Sequence, residues 1–307
     1  MPDPVITAAA SQIATCRATG QVPVIRTFFD IPTFTATHVV HDPATRTAAI
    51  VDSVMDYDPA SGRTDPAFAQ EIVDYVTAEK LKVEWILETH VHADHLSAAP
   101  WLQERVGGKL GIGDAIIRVQ GIFGRLFNAG TRFARDGSQF DHLFHDGAQF
   151  RLGTLPVTAM HVPGHTPADM AYVIGDAAFI GDTLFMPDYG TARADFPGGD
   201  ARMLYHSIRR LLSLPDETRV FLCHDYKAPG RDDYVWETTI GAERRHNVHV
   251  HEGVDEETFV NMRTARDATL SLPNLIMPSV QVNMRGGNLP EPEDNGVSYI
   301  KIPVNQA

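Results

Sequence analysis

Short runs of hydrophobic residues, separated by polar turns, predict paired β-strands in the first part of the chain. Three runs rich in β-branched and aromatic residues carry this pattern: 24–29, 35–41 and 47–54. The polar turn 41–43 separates the second run from the third, as expected between antiparallel strands. Further along, apolar residues between 72 and 81 recur at the spacing of a helix face, and Asp65 and Pro66 supply an N-cap and a first helical position.

The remainder of the chain mixes further strands with amphipathic helices. The predicted strands are 83–88, 109–113, 149–152, 156–161, 171–174, 177–180 and 219–222. The predicted helices are 94–106, 116–127, 200–212 and 256–270, with Asp200 and Asp255 as the N-caps of the last two. Strands followed by a mixture of helices and strands, twice over, predict an α+β fold of two sheets stacked face to face with helices outside.

No internal repeat or low-complexity linker divides the chain. We expect a loose N-terminal arm at 1–20, a main domain that carries the candidate chemistry at 21–233, and a C-terminal extension packed on that same domain at 234–307. The segment 128–145, rich in Gly and Asp, is expected to form a long loop over one face. The residues after 270 are expected to form an extended end.

Charge and cysteine content narrow the class of partner. The 39 acidic and 26 basic residues give a net charge of −13, which argues against nucleic acid because phosphate binding requires a basic surface. No apolar run approaches the roughly 20 residues that a membrane helix needs, so no membrane partner is expected. Cys16 and Cys223 are the only cysteines, so we expect no disulfide framework and a reducing, cytoplasmic location.

The candidate chemistry lies at the ends of four predicted strands. Four metal-binding side chains follow the first of these strands within six residues: His90, His92, Asp94 and His95. Three more follow later strands: His165, Asp182 and His224. Imidazoles combined with carboxylates suit zinc, iron or manganese, and buried without a cation they would repel one another or stay unsatisfied. The sequence therefore predicts a metal centre, held on rigid strand ends.

The order of these ligands resembles the metallo-β-lactamase superfamily. The resemblance implies an αββα sandwich with metals at one edge of the two sheets. It assigns His90, His92 and His165 to a first metal position. It assigns Asp94, His95 and His224 to a second metal position, with Asp182 able to bridge the two. Because this superfamily is chemically diverse, the fold alone does not give the reaction.

A narrower resemblance, to bacterial persulfide dioxygenases, covers nearly the whole chain. It rests on the segments 50–53, 88–95, 133–137, 181–185, 193–197, 223–226 and 278–284. It implies one Fe(II) per chain, bound by His90, His165 and Asp182. The remaining candidates would then form a supporting set or hold a second metal: His92, Asp94, His95 and His224. The chain departs from mitochondrial relatives, which carry Cys and Thr where Thr191 and Ala194 stand.

The reaction that this resemblance implies is the oxidation of glutathione persulfide by O2 and water to sulfite and glutathione. The candidate substrate-binding residues are Arg193, Tyr226 and Arg285, with Arg193 the best placed to bind a carboxylate in a bidentate way. The same ligands also suit a dinuclear zinc hydrolase of glutathione thioesters, of the glyoxalase II type. A metal-holding sulfur sensor is the non-enzymatic alternative, and a homodimer is left open.

Overall fold

A computed structural model describes residues 3–305 of the chain. Its helices are α1 (Pro4–Thr19), α2 (Ala67–Ala78), α3 (Ala99–Val106), α4 (Ile116–Leu126), α5 (Ala201–Leu211), α6 (Ile240–His246), α7 (Glu256–Asp267) and α8 (Ile276–Asn283). Its strands are β1 (Val24–Asp30), β2 (Thr35–His41), β3 (Thr47–Val51), β4 (Val54–Asp58), β5 (Arg63–Asp65), β6 (Lys82–Leu87), β7 (Leu96–Ser97), β8 (Lys109–Gly113), β9 (His142–Phe144), β10 (Gln149–Leu152), β11 (Leu155–His161), β12 (Met170–Ile174), β13 (Ala177–Phe179), β14 (Arg219–Phe221) and β15 (Glu237–Thr239).

Two six-stranded sheets form the centre of the fold. The first has the strand order β1-β2-β3-β6-β8-β9, and the second has the order β10-β11-β12-β13-β14-β15. The first sheet is parallel from β3 onward, whereas the second is antiparallel except for the pair β13–β14. A small third sheet of β5, β4 and β7 lies beside them.

Alternate side chains of the central strands enter different hydrophobic layers. In β2, Val40 packs between the two sheets, while Val39 packs on the outer face under α2, α3 and α4. In β12, Tyr172 faces the other sheet, while Val173 packs under α1, α5 and α7. Strands buried on both faces have continuous apolar sequences, and each fully buried Val or Ile stabilises the fold by roughly 1.5–3 kcal/mol. The predicted two-sheet sandwich with outer helices is confirmed.

The N-terminal segment is a packed helix rather than the expected loose arm. The Asp3 carboxylate accepts a hydrogen bond from the Val5 N–H at 2.8 Å, and Gly20 ends α1 with a left-handed φ of 70°. Ala9, Ile13 and Cys16 are buried on the second sheet. The prediction was wrong because the apolar stripe of α1 is narrow, short and differs little in hydrophobicity from the rest of the helix surface. Met1 and Pro2, which belong to the predicted arm, lie outside the described residues.

Two predicted helix starts and one predicted loop also differ. The helix expected from Asp94 begins at Ala99, because the chain first forms β7, which pairs with β4. Asp65 ends β5, and its carboxylate accepts from the Ala67 N–H at the start of α2 without being the N-cap residue. The segment 128–145 contains β9, which pairs with β8 in the first sheet. Asp200 and Asp255 are the N-caps of α5 and α7, as predicted.

The C-terminal segment contacts both layers of the sandwich. Strand β15 extends the second sheet, α7 packs beside α5, and α8 packs against β7 near the first sheet. Helix α8 was expected to be extended chain. Its residues 278–283 are all buried, so tertiary packing selects the helix. No helix among residues 3–305 is both long enough and apolar enough to span a membrane.

A buried glutamate gives a testable pH dependence of stability. Burial raises the pKa of Glu243 to about 8, while the Asn247 side chain donates to one carboxylate oxygen at 2.7 Å. Because folding raises the pKa of Glu243, the protonated carboxyl group contributes its full stabilisation of the fold at pH values below the pKa of the unfolded state. This contribution is lost as the pH rises towards 8. We expect Glu243→Gln to raise the free energy of unfolding by about 1 kcal/mol or more near pH 9, and to change it little near pH 5.

Chemical denaturation at both pH values measures this difference. The exposed Glu217 provides the control, since Glu217→Gln removes a carboxylate that is not buried. Equal effects of the Glu243 and Glu217 substitutions at high pH would contradict the assignment of a protonated Glu243.

Candidate metal centre

Four loops bring seven side chains to one edge of the two sheets. The loop after β6 carries four of them: His90, His92, Asp94 and His95. The loops after β11, β13 and β14 carry one each: His165, Asp182 and His224. All seven side chains are largely or completely buried. The structure therefore brings together every metal ligand that the sequence predicts.

Two glycines allow these loops to approach one another. Gly181 has a left-handed φ of 53°, and a Cβ atom there would lie 2.5 Å from the Thr89 hydroxyl. Gly164 packs against the backbone of Leu204 in α5, where a Cβ atom would lie 2.3 Å from its nitrogen. Only glycine fits such close contacts, so these residues place Asp182 beside His90 and direct the His165 turn inwards.

The first cluster consists of two imidazoles and one carboxylate. One ligand atom from each of His90, His165 and Asp182 lies within 4.8 Å of the others. Asp182 Oδ2 is 3.9 Å from His90 Nε2 and 3.6 Å from His165 Nε2. Burial and the neighbouring imidazoles hold the pKa of His90 well below its usual value. A neutral imidazole is the form that binds a metal.

Hydrogen bonds fix which ring nitrogen of each histidine faces the cluster. His165 Nδ1 donates to the Arg193 carbonyl at 2.8 Å, and His224 Nδ1 donates to the Phe34 carbonyl at 3.0 Å. Because a carbonyl only accepts, both Nδ1 atoms carry the proton and both Nε2 atoms keep a free lone pair. The Thr89 hydroxyl donates to Asp52 and lies 3.0 Å from His90 Nδ1, so it imposes the same tautomer on His90.

A second cluster lies beside the first. Ligand atoms of His92, Asp94 and His95 are also within 4.8 Å of one another. Asp94 Oδ2 is 3.2 Å from His95 Nδ1 and 3.4 Å from His224 Nε2. Asp182 Oδ1 is also 3.4 Å from His224 Nε2. Asp182 thus has Oδ2 towards His90 and His165, and Oδ1 towards His224.

His92 differs from the other histidines. Its Nε2 donates to Asp52 Oδ1 at 3.0 Å and to Glu88 Oε2 at 3.1 Å, so only Nδ1 faces the cluster. Burial alone would lower the pKa of His92, but the carboxylates of Asp52 and Glu88 raise it well above its usual value.

The donor atoms at this site fit a metal ion. Within the described residues, five of these buried atoms lack a hydrogen-bond partner: His90 Nε2, His92 Nδ1, His95 Nε2, Asp182 Oδ1 and His224 Nε2. An unsatisfied buried polar group costs about 1–3 kcal/mol. A cation bound between these atoms would remove that cost. The observed donor set of imidazoles and carboxylates suits zinc, iron or manganese.

Residues that sequence reasoning did not identify hold the histidine loop in place. Asn283 in α8 donates to the carbonyls of His92 at 2.9 Å and His95 at 2.8 Å, and accepts from the Ser97 N–H. Asp52 accepts from the Thr89 N–H at 2.7 Å as well as from His92. Both residues lie within segments that resemble the dioxygenases, but their contacts join parts of the chain that are far apart in sequence.

A buried ion pair in α7 supports the loop behind His165. Arg263 and Asp267 are almost fully buried, and Arg263 Nε lies 2.9 Å from Asp267 Oδ1. Arg263 also donates to the Thr191 carbonyl at 3.0 Å, and Asp267 accepts from the Ala194 N–H at 2.9 Å. Between these two anchors lies Arg193, whose carbonyl accepts from His165. Thr191 and Ala194, the positions that depart from the mitochondrial pattern, thus lie in a loop fixed by α7.

A cavity of about 1010 Å³ opens onto the first cluster. His165, Asp182 and Asp94 border it on the metal side, together with the aromatic rings of Phe185 and Tyr226. The Tyr226 ring stacks on His224 with 5.6 Å between centroids. The segment 128–145 does not border this cavity. It lines a separate pocket of about 510 Å³ against the C-terminal segment.

The predicted substrate arginines are placed differently from expectation. Arg193 borders the cavity, but its guanidinium binds Asp195 through two contacts of 2.6 and 2.8 Å and donates to the Ser271 carbonyl. Arg285 lies in the second pocket, stacked over Phe133, so its assignment to the substrate site is wrong. Arg285 lies two residues after the end of α8 and does not border the cavity at the metal centre.

Two other arginines border the cavity without a bound carboxylate. Arg63 in β5 and Arg266 in α7 are exposed, and neither forms an ion pair with any of residues 3–305. The sequence offered no signal for them, because contacts between distant parts of the chain bring β5 and α7 to the cavity that holds the metal ligands.

Comparison with known proteins identifies the class. The sequence pattern of the Metallo-beta-lactamase superfamily matches residues 34–224, and the chain belongs to this superfamily. The superfamily fold predicted from the ligand order is thereby confirmed.

Among the similar proteins, some are named as hydrolases and others as persulfide dioxygenases. A probable metallo-hydrolase of Burkholderia pseudomallei is 58% identical over 288 residues, covering 91% of this chain and 98% of that protein. The mitochondrial persulfide dioxygenase ETHE1 of Homo sapiens is 28% identical over 290 residues, covering 94% and 98%. The crystal structure of ETHE1 from Myxococcus xanthus is 31% identical, with a TM-score of 0.68, and covers 86% of this chain and 100% of that one.

The ion pair in α7 generates a prediction about metal binding. Asp267→Asn keeps the shape of the side chain but leaves Arg263 without its buried counter-charge, so the 191–194 loop and the Arg193 carbonyl should lose their fixed position. We expect affinity for the metal to fall by about 10–100-fold, the range seen when groups that orient metal ligands are removed. Competition with a chelator, followed by elemental analysis, measures this loss.

The control variant is Glu257→Gln, on the same helix but paired with Arg202 at the surface. We expect unchanged metal affinity for this variant. If Asp267→Asn lowers thermal stability yet binds metal as tightly as the wild type, Asp267 does not position His165.

Proposed function

We propose that this protein is a persulfide dioxygenase that uses one Fe(II) per chain to oxidise glutathione persulfide. In the overall reaction, the persulfide, O2 and water yield sulfite and glutathione, so the terminal sulfur is oxidised and O2 is reduced. The observation that carries this proposal is the first cluster of His90, His165 and Asp182. Two imidazoles and one carboxylate on one side of a site suit non-haem Fe(II) and leave open positions for O2 and a sulfur ligand.

The similarity to ETHE1 extends over nearly the whole chain and supports this proposal. The human protein named persulfide dioxygenase aligns with 94% of the sequence, and the ETHE1 crystal structure from Myxococcus xanthus covers 86% of it. Bound Fe(II) would supply the redox chemistry that allows O2 to react. The protein's own residues would bind, orient and shield the persulfide.

The cavity is large enough for an elongated substrate such as glutathione. Its volume of about 1010 Å³ lies at the upper end of the range of small-molecule sites, about 300–1,000 Å³. Arg63 and Arg266 would bind the two glutathione carboxylates, because both guanidinium groups are free of ion pairs. Tyr226 lies at the metal end, where its hydroxyl would donate a hydrogen bond to the sulfur end of the substrate.

Arg193 takes a positioning role in this proposal. Its guanidinium ties Asp195 to the 271 segment, and its carbonyl orients His165. Binding a substrate carboxylate would require it to give up the contacts with Asp195, so Arg266 replaces it as the main carboxylate ligand.

The second candidate function is a dinuclear zinc hydrolase of glutathione thioesters. The observation that favours it is the second cluster of His92, Asp94 and His95, whose ligand atoms lie within 4.8 Å of one another, with His224 Nε2 3.4 Å from Asp94 Oδ2. The name of the Burkholderia relative, probable metallo-hydrolase, agrees with such chemistry. A hydrolase of this type would use metal-activated water to cleave the thioester.

Oxygen consumption separates the two functions. We expect protein loaded anaerobically with Fe(II) to consume O2 when glutathione persulfide is added, to form sulfite, and to contain one iron per chain. Protein loaded with zinc should not consume O2. Cleavage of S-lactoylglutathione without O2 uptake would replace the dioxygenase by the hydrolase, and activity in neither assay would favour a sulfur sensor.

Substitution of Arg266 tests the substrate site. We expect Arg266→Ala to raise KM about tenfold and to change kcat little, because the loss of one charge-assisted contact to an exposed carboxylate corresponds to roughly 1.5 kcal/mol. Arg132→Ala removes an exposed arginine in the second pocket and serves as the control. A lower kcat with unchanged KM for Arg266→Ala would contradict a role in binding.

A further inference from the structure

The second pocket lies apart from the metal centre, between the 128–145 segment and the C-terminal tail. Its volume of about 510 Å³ falls within the range of small-molecule sites, about 300–1,000 Å³. Residues between 127 and 139, the end of α8 with the turn that follows it, and residues between 288 and 301 form its walls. None of the seven metal ligands borders it, and neither proposed reaction uses it.

Arg285 brings a positive charge into this pocket without a paired carboxylate. Its guanidinium carbon lies 4.4 Å from the centroid of the Phe133 ring, and one of its nitrogens donates to the Gln281 carbonyl. Although the side chain is partly buried, it forms no ion pair with any of residues 3–305. A cation that loses hydration without gaining a counter-charge is costly, so a bound anion would stabilise this part of the fold.

The other charges around the pocket do not neutralise Arg285. Arg132 and Glu291 already pair with each other at 3.2 Å, and both side chains are exposed. Burial lowers the pKa of Arg285, and the Glu291 carboxylate offsets this effect only in part. Lys301 donates to a backbone carbonyl and has no ion-pair partner in the described part of the chain. With Glu293, three cationic side chains and two carboxylates border the pocket, although the whole chain has a net charge of −13.

Apolar groups cover much of the remaining wall. They are the rings of Phe127, Phe133 and Tyr299 and the side chain of Leu289. Leu289 is 53% exposed and Tyr299 is 43% exposed, so both retain apolar surface that a ligand could cover. A guanidinium held over an aromatic ring presents its N–H groups in a fixed plane, which suits a carboxylate that accepts two hydrogen bonds.

Hydrogen bonds hold both walls of the pocket against the end of α8. The Gln281 side chain donates to the Lys301 carbonyl at 2.9 Å and accepts from the Lys301 N–H at 3.0 Å, which ties the tail to the helix. On the other wall, Gln120 donates to the Gln139 side chain at 2.7 Å and to the Met284 carbonyl at 3.0 Å. The pocket is therefore formed before any ligand arrives, which lowers the entropic cost of binding.

We propose that this pocket is a second ligand site, which binds a small organic carboxylate with an apolar body. The carboxylate would pair with Arg285 and lie near Lys301, and the apolar body would pack on Phe133 and Leu289. This assignment does not depend on the reaction at the metal centre, so the failure of either proposal leaves the other standing.

Fluorine NMR of the full-length protein with two aromatic acids tests this assignment. The probes are para-(trifluoromethyl)benzoate and para-(trifluoromethyl)phenylacetate, and their uncharged amides are the matched controls. We expect at least one acid to bind with a dissociation constant below about 1 mM. We expect its amide to bind about tenfold more weakly or worse, because the amide cannot form a charge-assisted pair with Arg285.

Three variants locate the bound probe. Arg285→Gln removes the charge and should weaken binding of the acid about tenfold or more. Arg105→Gln is the matched control, because Arg105 also lies over an aromatic ring, 3.6 Å from the Trp101 centroid, but outside the pocket. Arg266→Ala removes a cation from the cavity at the metal centre. Both of these variants should bind the acid as the wild type does.

Ala134→Trp gives a second test should Arg285→Gln fail to fold. Ala134 is an exposed residue of the pocket wall, where a bulky ring would fill the space and should abolish binding. Absence of binding by both acids at millimolar concentration would overturn the proposal, and so would equally tight binding of the amides. Binding that survives in Arg285→Gln and is lost in Arg266→Ala would place the probe at the metal centre and would also overturn it.

Discussion

The carboxylate of Asp182 is the group on which the arrangement of the metal centre depends. It lies between two sets of buried imidazoles, with Oδ2 towards His90 and His165 and Oδ1 towards His224. A buried carboxylate among uncompensated imidazole lone pairs is costly unless a cation lies between them. The tight turn at Gly181, the tautomers of the three histidines and the position of the neighbouring loops all serve to keep these atoms together.

The C-terminal segment supports this centre from two sides. Helix α8 holds the histidine loop through Asn283, and α7 holds the 191–194 loop through Arg263 and Asp267. The metal ligands themselves all precede residue 225, yet their orientation depends on contacts with residues after 260. Because metal affinity depends strongly on the groups that orient the ligands, this segment belongs to the active centre as much as to the fold.

Much of the fold and of the ligand set could be predicted from the sequence, because both leave local patterns. Continuous apolar runs mark strands buried on both faces, and each ligand follows such a run. Helix α8 and strand β7 could not be predicted, since their structure is selected by contacts with distant parts of the chain. The same limit applies to the arginines. The guanidinium group of Arg193 is bound by Asp195, which is only two residues away in sequence. Arg266, in contrast, borders the cavity because α7 packs against α5.

In the proposed enzyme, iron binds to His90, His165 and Asp182 and not to the neighbouring donors. Anomalous diffraction at the iron edge, from crystals of anaerobically iron-loaded protein, tests it most directly. We expect one iron peak per chain, within coordination distance of His90 Nε2, His165 Nε2 and Asp182 Oδ2. Two peaks of comparable height, or a single peak between His92, Asp94 and His95, would contradict it.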